Sequence, residues 1–342
     1  MPPAKITIRD VSKLAQVSIT TVSNVLNNTG NISEPTRQRV LEAVKELGYV
    51  PDQHARSLKR NRSNMIELLF THSEETMTAS RYFRDITASI CAVASGHGYN
   101  VIVSVLSRKD PLQQQLKLIM QSGLVAGIIL AGPSPEEVDV FAKTVNDFPA
   151  LVISSSGNHA QISYVDVDNS AGMFKAVHHL VKLGHRRIAY LAPSEMDSHA
   201  YQRSQAYRKA MTSNGLEKEI SFFTINLGKE EELITGILEK HVTAIIAFDD
   251  MRALQLSSFL MREGISIPGD IALIGFDDED FAEHMTPPLT TLAQPFVEMG
   301  KVAAEHLIET IEKPGTLSVH IVLPLTFITR ASSGSQIVEF TQ

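Results

Sequence analysis

From residue 64 onward, short apolar runs alternate with stretches of helical periodicity, and that rhythm leaves few folds open. The runs are "MIELLF", "YNVIVSVL", "AGIILAG", "ALVISS", "YVDVD", "RIAYLA", "TAIIAF" and "IALIGF". Between them lie segments such as "FRDITASICAVASGHG" and "NSAGMFKAVHHLVKLG", whose apolar residues recur every three to four positions. Strand, helix and strand repeated in this way predict parallel sheets covered on both faces. The runs are too many for one sheet, so two similar doubly wound α/β lobes are expected, with a break near residue 162.

The first 62 residues follow another rhythm. In "ITIRDVSKLAQVSITTVSNVL" (6–26), Thr7 and Asp10 make a capping-box-like start. Val11, Leu14 and Ala15 share one helical face. Ser18 can cap a second helix, with Val22, Val25 and Leu26 inward and Ile19, Thr20, Thr21 and Asn24 outward. A third helix is expected from Ser33 through Pro35 to Gly48, with Val40, Leu41, Val44 and Leu47 as its stripe. Two short helices joined tightly, the second polar on its outer N-terminal face, predict an all-α helix-turn-helix head. The first turn of such a second helix enters a DNA major groove; a generic three-helix bundle would share the pattern. Residues 1–62 hold ten Lys/Arg against five Asp/Glu, a charge of +5, within a chain of net charge −7. A basic head on an acidic body favours a polyanion at one end only.

"HARSLKRNRS" (54–63) places Leu58 among Arg56, Lys59, Arg60 and Arg62. Two helical turns after Pro51 are marginal alone and form on binding. A leucine there can wedge between base steps of a minor groove while its basic neighbours hold phosphates. Together, "TIRDVSKLAQVSITTVSNVLN" and "LGYVPDQHARSLK" resemble the head of the lac repressor (LacI/GalR) family, and the likeness runs to about residue 333. The resemblance implies a homodimer on a pseudo-palindromic double-stranded operator, with two recognition helices in adjacent major grooves and two hinge helices in the central minor groove. By position it implies DNA contacts from Thr7, Ser18, Ile19, Thr20, Thr21, Ser23, Asn24 and Asn27. It adds Tyr49, His54, Ala55, Arg56 and Lys59, with Leu58 intercalating. Gln16 replaces the usual turn glycine. Asn24 stands where many members have Arg, which shifts the expected base preference from guanine toward adenine. The head is placed at 1–50 and the hinge helix and linker at 51–63.

In open α/β sheets, ligands sit beyond the carboxyl ends of strands. Asp249 and Asp250 follow "AIIAF"; Asp277, Asp278 and later Asp280 follow "IALIGF"; Ser154 to Ser156 follow "ALVI"; Arg203 lies beyond "RIAYLA". Carboxylates and an arginine on one cleft can bind hydroxyls by charge-assisted hydrogen bonds, which suits a sugar or another polar small molecule. Asp250 and Asp278 are expected to cap the helices that follow them. "LGHRRIAYL", "IPGDIALIGFDD", "PPLTTLAQP" and "LPLTFITRASS" resemble body signatures of the same family, and the body resembles periplasmic sugar-binding proteins. The resemblance implies effector contacts from Arg203, Asp249, Asp277 and Gln294, with Ser154 beside them. The first-lobe element often written N-P-F-F is "SRYF" here, giving Ser80, Tyr82 and Phe83. It also implies lobes of 64–161 plus 292–324 and 162–291 plus 325–342, with chain crossings near 162, 291 and 325. The tail "GSQIVEFTQ" is too short for a tetramer-forming helix, so a dimer is expected.

No nucleophile elbow, phosphate loop or H-E-x-x-H motif occurs, and no His/Cys set has metal-ligand spacing. Neither catalysis, a metal nor a cofactor is expected, although Asp249 and Asp277 would be the carboxylates of any enzymatic reading. "MPPAKITIRD" lacks the apolar core of a secretion signal, and no run of about 18 apolar residues suggests a membrane span. One cysteine, Cys91, suits a reducing compartment and reads as a buried thiol. The sequence therefore predicts a cytoplasmic, sequence-specific transcriptional repressor switched by a small molecule. A transport component, an enzyme, a purine-like co-repressor and a protein co-regulator are the other readings.

Overall fold

The computed structural model describes residues 6–26, 29–49, 63–71, 80–107, 109–154, 161–193, 198–226 and 228–334. The chain divides into a unit ending at Ser63 and a second beginning at Asn64. In the first unit, α1 (Ile8–Leu14) begins where the Thr7 amide and hydroxyl both donate to the Asp10 carboxylate, at 2.8 and 2.7 Å. The turn then passes through Gln16 at φ +52°, a left-handed position that glycine fills more easily. Ser18 Oγ accepts the Thr21 amide proton at 3.0 Å and caps α2 (Ile19–Leu26). The third helix, α3 (Glu34–Leu47), has proline in its first turn and ends at left-handed Gly48.

Val11, Ala15, Val22, Val25, Val40 and Ala43 form the buried centre of the head. Leu14 and Leu41, expected inside, are instead 43% and 48% exposed. Ala15 and Ala43 fill inner positions of that centre, while Leu14 and Leu41 lie at the edge of the buried faces.

The body carries a six-stranded sheet in the order β2-β1-β3-β4-β5-β11 and a four-stranded sheet in the order β7-β6-β8-β9. All pairings within both are parallel. The first comprises β1 (Met65–Phe70), β2 (Asn100–Val105), β3 (Gly127–Ala131), β4 (Ala150–Ile153), β5 (Ser163–Val167) and β11 (His320–Leu323). Its helices include α4 (Arg81–Gly96), α5 (Leu112–Gln121), α6 (Pro135–Val145) and α11 (Phe296–Glu312). The second comprises β6 (Ile188–Ala192), β7 (Ser221–Thr224), β8 (Ala244–Ala247) and β9 (Ala272–Ile274), with α7 (Asn169–Lys182), α8 (Ser198–Ser213), α9 (Glu230–Glu239) and α10 (Asp250–Arg262). Strands β3 and β6 are buried along their whole length, as helices on both faces require.

The first crossing differs from expectation. Strand β5 pairs with β4 and β11, so the chain leaves the first lobe after Val167 and not at 162. The break expected near 162 from chain length and rhythm falls between two neighbouring strands of one sheet. The other crossings lie beside a short antiparallel pair, β10 (Thr291–Ala293) with β12 (Thr326–Ile328). That pair adjoins the second sheet through parallel bridges Ile274–Thr290 and Asp277–Ala293. Between its strands, α11 and β11 return to the first lobe. Strands β7, β10, β11 and β12 are only three or four residues long and were not among the eight apolar runs.

Cys91 is a free thiol and half-buried rather than buried, and desolvation pushes its pKa up. No described helix is long and apolar enough to cross a membrane. Helices α4 and α11 meet at Gly300, where a Cβ would overlap Ser89 Oγ and lie 3.0 Å from the Ile86 carbonyl. Because a backbone atom cannot step aside, Gly300→Ala is expected to lower unfolding free energy by about 1–3 kcal/mol, read from the urea midpoint. An unchanged midpoint would show that the two helices separate without cost.

Candidate functional site

The second helix of the head presents the residues expected at DNA. Ile19 is 43% exposed, and Ser18 and Thr20 are exposed beside it. Thr21, Ser23 and Asn24 are half-buried. The Ser18 and Thr21 hydroxyls lie 2.9 Å apart, so both build the cap as well as the outer face. Thr7 is exposed at the start of α1, and Tyr49 packs against the head core. Asn27, His54, Ala55, Arg56, Leu58 and Lys59 lie outside the described residues.

In the body, the strand-end rule brings a polar cluster together. Arg203, in the second turn of α8, is buried. Its Nε donates to Asn169 Oδ1 at 2.9 Å and its Nη1 to the Phe248 carbonyl at 2.6 Å. The guanidinium carbon stands 3.4 Å from the centroid of Phe276 and 4.8 Å from that of Phe248, an arrangement that stabilises a desolvated cation. Arg203 Nη2 is 3.6 Å from Asp277 Oδ1, which also accepts from Gln294 Nε2 at 2.6 Å. Asp277 adopts φ +109°, a conformation that turns it away from the strand direction. Burial raises its pKa well above the usual carboxylate range, and Arg203 acts in the opposite sense. Among the described residues, the buried Ser154 Oγ and Gln294 Oε1 have no hydrogen-bond partner. Ser154 holds φ +69° directly after β4.

The neighbouring acids divide differently from expectation. Asp249, not Asp250, caps α10: its Oδ1 accepts the Arg252 amide at 2.7 Å and its Oδ2 pairs with the Arg252 guanidinium. Asp250 is 0% exposed. Its two oxygens accept from Thr291 Oγ1 at 2.7 Å and the Glu279 amide at 2.8 Å, tying α10 to β10 and to the loop after β9. Desolvation raises its pKa from 3.8 to about 7, assisted by Asp249 and Asp278. Nor does Asp278 act as a cap, since it accepts from Arg330 Nη2 at 2.8 Å.

Ser80 precedes α4 and is its N-terminal boundary residue. Tyr82 meets Phe70 and Phe296 edge-on at 6.2 and 5.4 Å, and Phe83 meets Phe70 at 4.7 Å; both rings are packed against the first-lobe core. Arg81 between them joins the lobes. Its amide donates to Glu279 Oε1 at 3.0 Å, and its guanidinium donates to the Asp278 carbonyl at 2.5 Å. Arg84 adds an ion pair to Asp280 at 2.9 Å. A groove of about 430 Å³ lies beside the cluster, lined by Val167 and Val322 of the first lobe and Asn169, Tyr201, Gln202 and Lys209 of the second.

Asn169, Phe248, Phe276, Thr291 and Arg81 escaped the sequence reading. Asn169 was within reach of the strand-end rule, because it follows "YVDVD". Phe248, Phe276 and Thr291 support a neighbour through a backbone carbonyl, a ring face or a hydroxyl, and Arg81 through its amide and guanidinium; those roles leave no local pattern.

A helix-turn-helix head joined to a two-lobe parallel-sheet body, with a buried arginine–carboxylate cluster at the strand ends, defines a ligand-responsive DNA-binding regulator. Comparison with known proteins narrows the class. The model of the bacterial regulatory proteins, lacI family, matches residues 7–52, and that of the periplasmic binding protein-like domain matches residues 177–333. The HTH-type transcriptional regulator DegA of Bacillus subtilis (strain 168) is 33% identical over 305 residues, covering 86% of this chain and 88% of DegA. Among solved structures, a transcriptional regulator CelR–cellobiose complex matches at TM-score 0.71 and 27% identity, over 96% of this chain and 99% of that one. The Lac repressor bound to ONPG in the repressed state matches at TM-score 0.82 and 25% identity, over 96% and 100%. The chain belongs to the lacI family of bacterial regulatory proteins.

The protonation of Asp250 gives a pH test. Its folded-state pKa of about 7 exceeds the unfolded 3.8, so the folded chain keeps a proton that the unfolded chain releases between these values. Stability must therefore fall as pH rises from about 4 to about 7, by on the order of 4 kcal/mol from this group. Asp250→Asn removes the titration, and its single amide oxygen can still accept one of the two bonds that Asp250 receives from Thr291 Oγ1 and the Glu279 amide. Urea unfolding at several pH values should show the wild type losing stability relative to the variant across that window. Parallel curves would mean that Asp250 is ionised in the fold.

Proposed function

We propose that the chain is a cytoplasmic, homodimeric repressor that binds a pseudo-palindromic operator and is switched by a sugar or sugar derivative held between its lobes. The observation that carries the switch is the Asp277–Gln294 bond. Gln294 sits at a crossing between the lobes and Asp277 at the end of β9, so a ligand that competes for either side chain acts where the lobes are joined. Ser154 Oγ and Gln294 Oε1, one at a first-lobe strand end and one at that crossing, supply unused hydrogen-bonding capacity for hydroxyl groups. The cellobiose and ONPG complexes of CelR and the Lac repressor support a sugar as the ligand. Catalysis has less support, because Asp249 is held as a helix cap by Arg252 and Asp277 by Arg203 and Gln294. A ligand that binds one lobe arrangement better than the other shifts operator affinity by the same factor that DNA shifts ligand affinity. A coupling of about 1–3 kcal/mol is enough for a useful switch.

Two substitutions separate the parts. Asp277→Ala should abolish the effector response, measured as operator binding by fluorescence anisotropy, while leaving a DNA-binding protein; a normal response would place the effector elsewhere. Leu58→Ala should weaken operator binding and leave effector affinity unchanged. Equal operator affinity for parent and variant would remove Leu58 from the minor groove.

A further inference from the structure

We infer that Ile19 selects its base through the C5-methyl group of thymine, so that each operator half-site carries a T·A pair beneath the first turn of α2. The inference rests on the operator-binding reading above and names the chemical group that one side chain recognises.

Ile19 is apolar, yet it stays outside the core of the head. That core takes Val22 and Val25 from α2, with Leu26 packed against it, and leaves Ile19 43% exposed. Its neighbours Ser18 and Thr20 are exposed and polar. A single exposed aliphatic side chain is ordinary on a protein surface, and here its position gives it meaning. It stands in the first turn of the second helix of a helix-turn-helix, the turn that enters a major groove. A β-branched residue brings no helix propensity to that turn, and Ile19 brings no burial to the core.

The polar residues around it are engaged within the head. Ser18 Oγ accepts the Thr21 amide at 3.0 Å, and the two hydroxyls lie 2.9 Å apart. Asn24 is half-buried, and its carbonyl accepts the Thr29 amide at 2.9 Å. Its side-chain nitrogen rests against Gly30, where a Cβ would come within 3.2 Å of it. These contacts hold α2 from both ends and present Ile19 on a fixed turn.

Ile19 has neither a donor nor an acceptor, so it discriminates by apolar contact. The methyl group that a base edge presents in the major groove is the C5-methyl of thymine. Against a polar edge, the side chain would strip water from hydrogen-bonding atoms and return no bond. Thr20 also carries a methyl group, so variants at both positions are needed.

The test uses the full-length protein and the duplexes it recovers from a randomised library, with affinity read by fluorescence anisotropy at one fixed salt concentration. Each thymine of the half-site is replaced in turn by deoxyuridine, which removes the methyl group and keeps every hydrogen-bonding atom. At one thymine the wild type should bind about threefold to fivefold more weakly per half-site, the effect of one buried methyl-sized group. Ile19→Ala should bind the thymine and deoxyuridine duplexes alike at that position, whereas Ile19→Val and Thr20→Ala should keep the preference for thymine. Half-sites that tolerate deoxyuridine throughout would overturn this inference and leave operator binding standing. So would a preference that survives Ile19→Ala or vanishes in Thr20→Ala. Recovery of no common sequence would overturn the operator-binding reading itself, and this inference with it.

Discussion

The buried guanidinium of Arg203 is the constraint on which the body depends. A cation removed from water needs compensation from every side, and here each side comes from a different part of the chain. Asn169 comes from the first crossing, the Phe248 carbonyl from the end of β8, the Phe276 ring from the end of β9, and Asp277 from the next residue. Asp277 in turn holds Gln294 at the second crossing. One side chain therefore connects two strand ends of the second lobe with two of the connections between lobes. The direct partners of Arg203 all lie in the second lobe, and the link to the crossing runs through Asp277 to Gln294.

A second layer of charge surrounds this centre. Asp250 ties α10 to β10 and to the Glu279 amide, and the Glu279 carboxylate accepts the first amide of α4 in the other lobe. Arg81 and Arg84 reach the same loop from the first lobe. Loop 278–280 is thus held from both lobes at once. The exposed members of these pairs contribute little alone. The Asp250 bonds, away from water, resist rearrangement far more.

The sequence reading succeeded where local physics decides. Capping residues placed α1 and α2, Val11, Val22, Val25 and Val40 are buried in the head, and the eight apolar runs became strands of the two parallel sheets. Three features were misassigned. Leu14 and Leu41 have the right periodicity, but the inner positions beside them are filled by Ala15, Val40 and Ala43. Strand β5 was assigned to the second lobe, because the rhythm of apolar runs is the same whether a connection joins lobes or adjacent strands. The acids after β8 were recognised as a group, but the cap expected of Asp250 is made by Asp249, and Asp250 is buried. Adjacent aspartates are indistinguishable in a string; which of them faces the core depends on the strand that packs beside it.

What the sequence alone determined about this protein is its class: a helix-turn-helix head followed by parallel α/β lobes with polar strand ends. Periodicity, capping and chain order are local properties and can be read along the chain. Which charges are paired, and which donors and acceptors remain unused, was settled by packing between segments distant in the chain. Arg203 lies 74 residues from Asp277, and Gly275 leaves room for Asp250 only once β9 has packed against α10. Electrostatic energy depends on distance and on exclusion from water, and neither exists until the lobes are assembled.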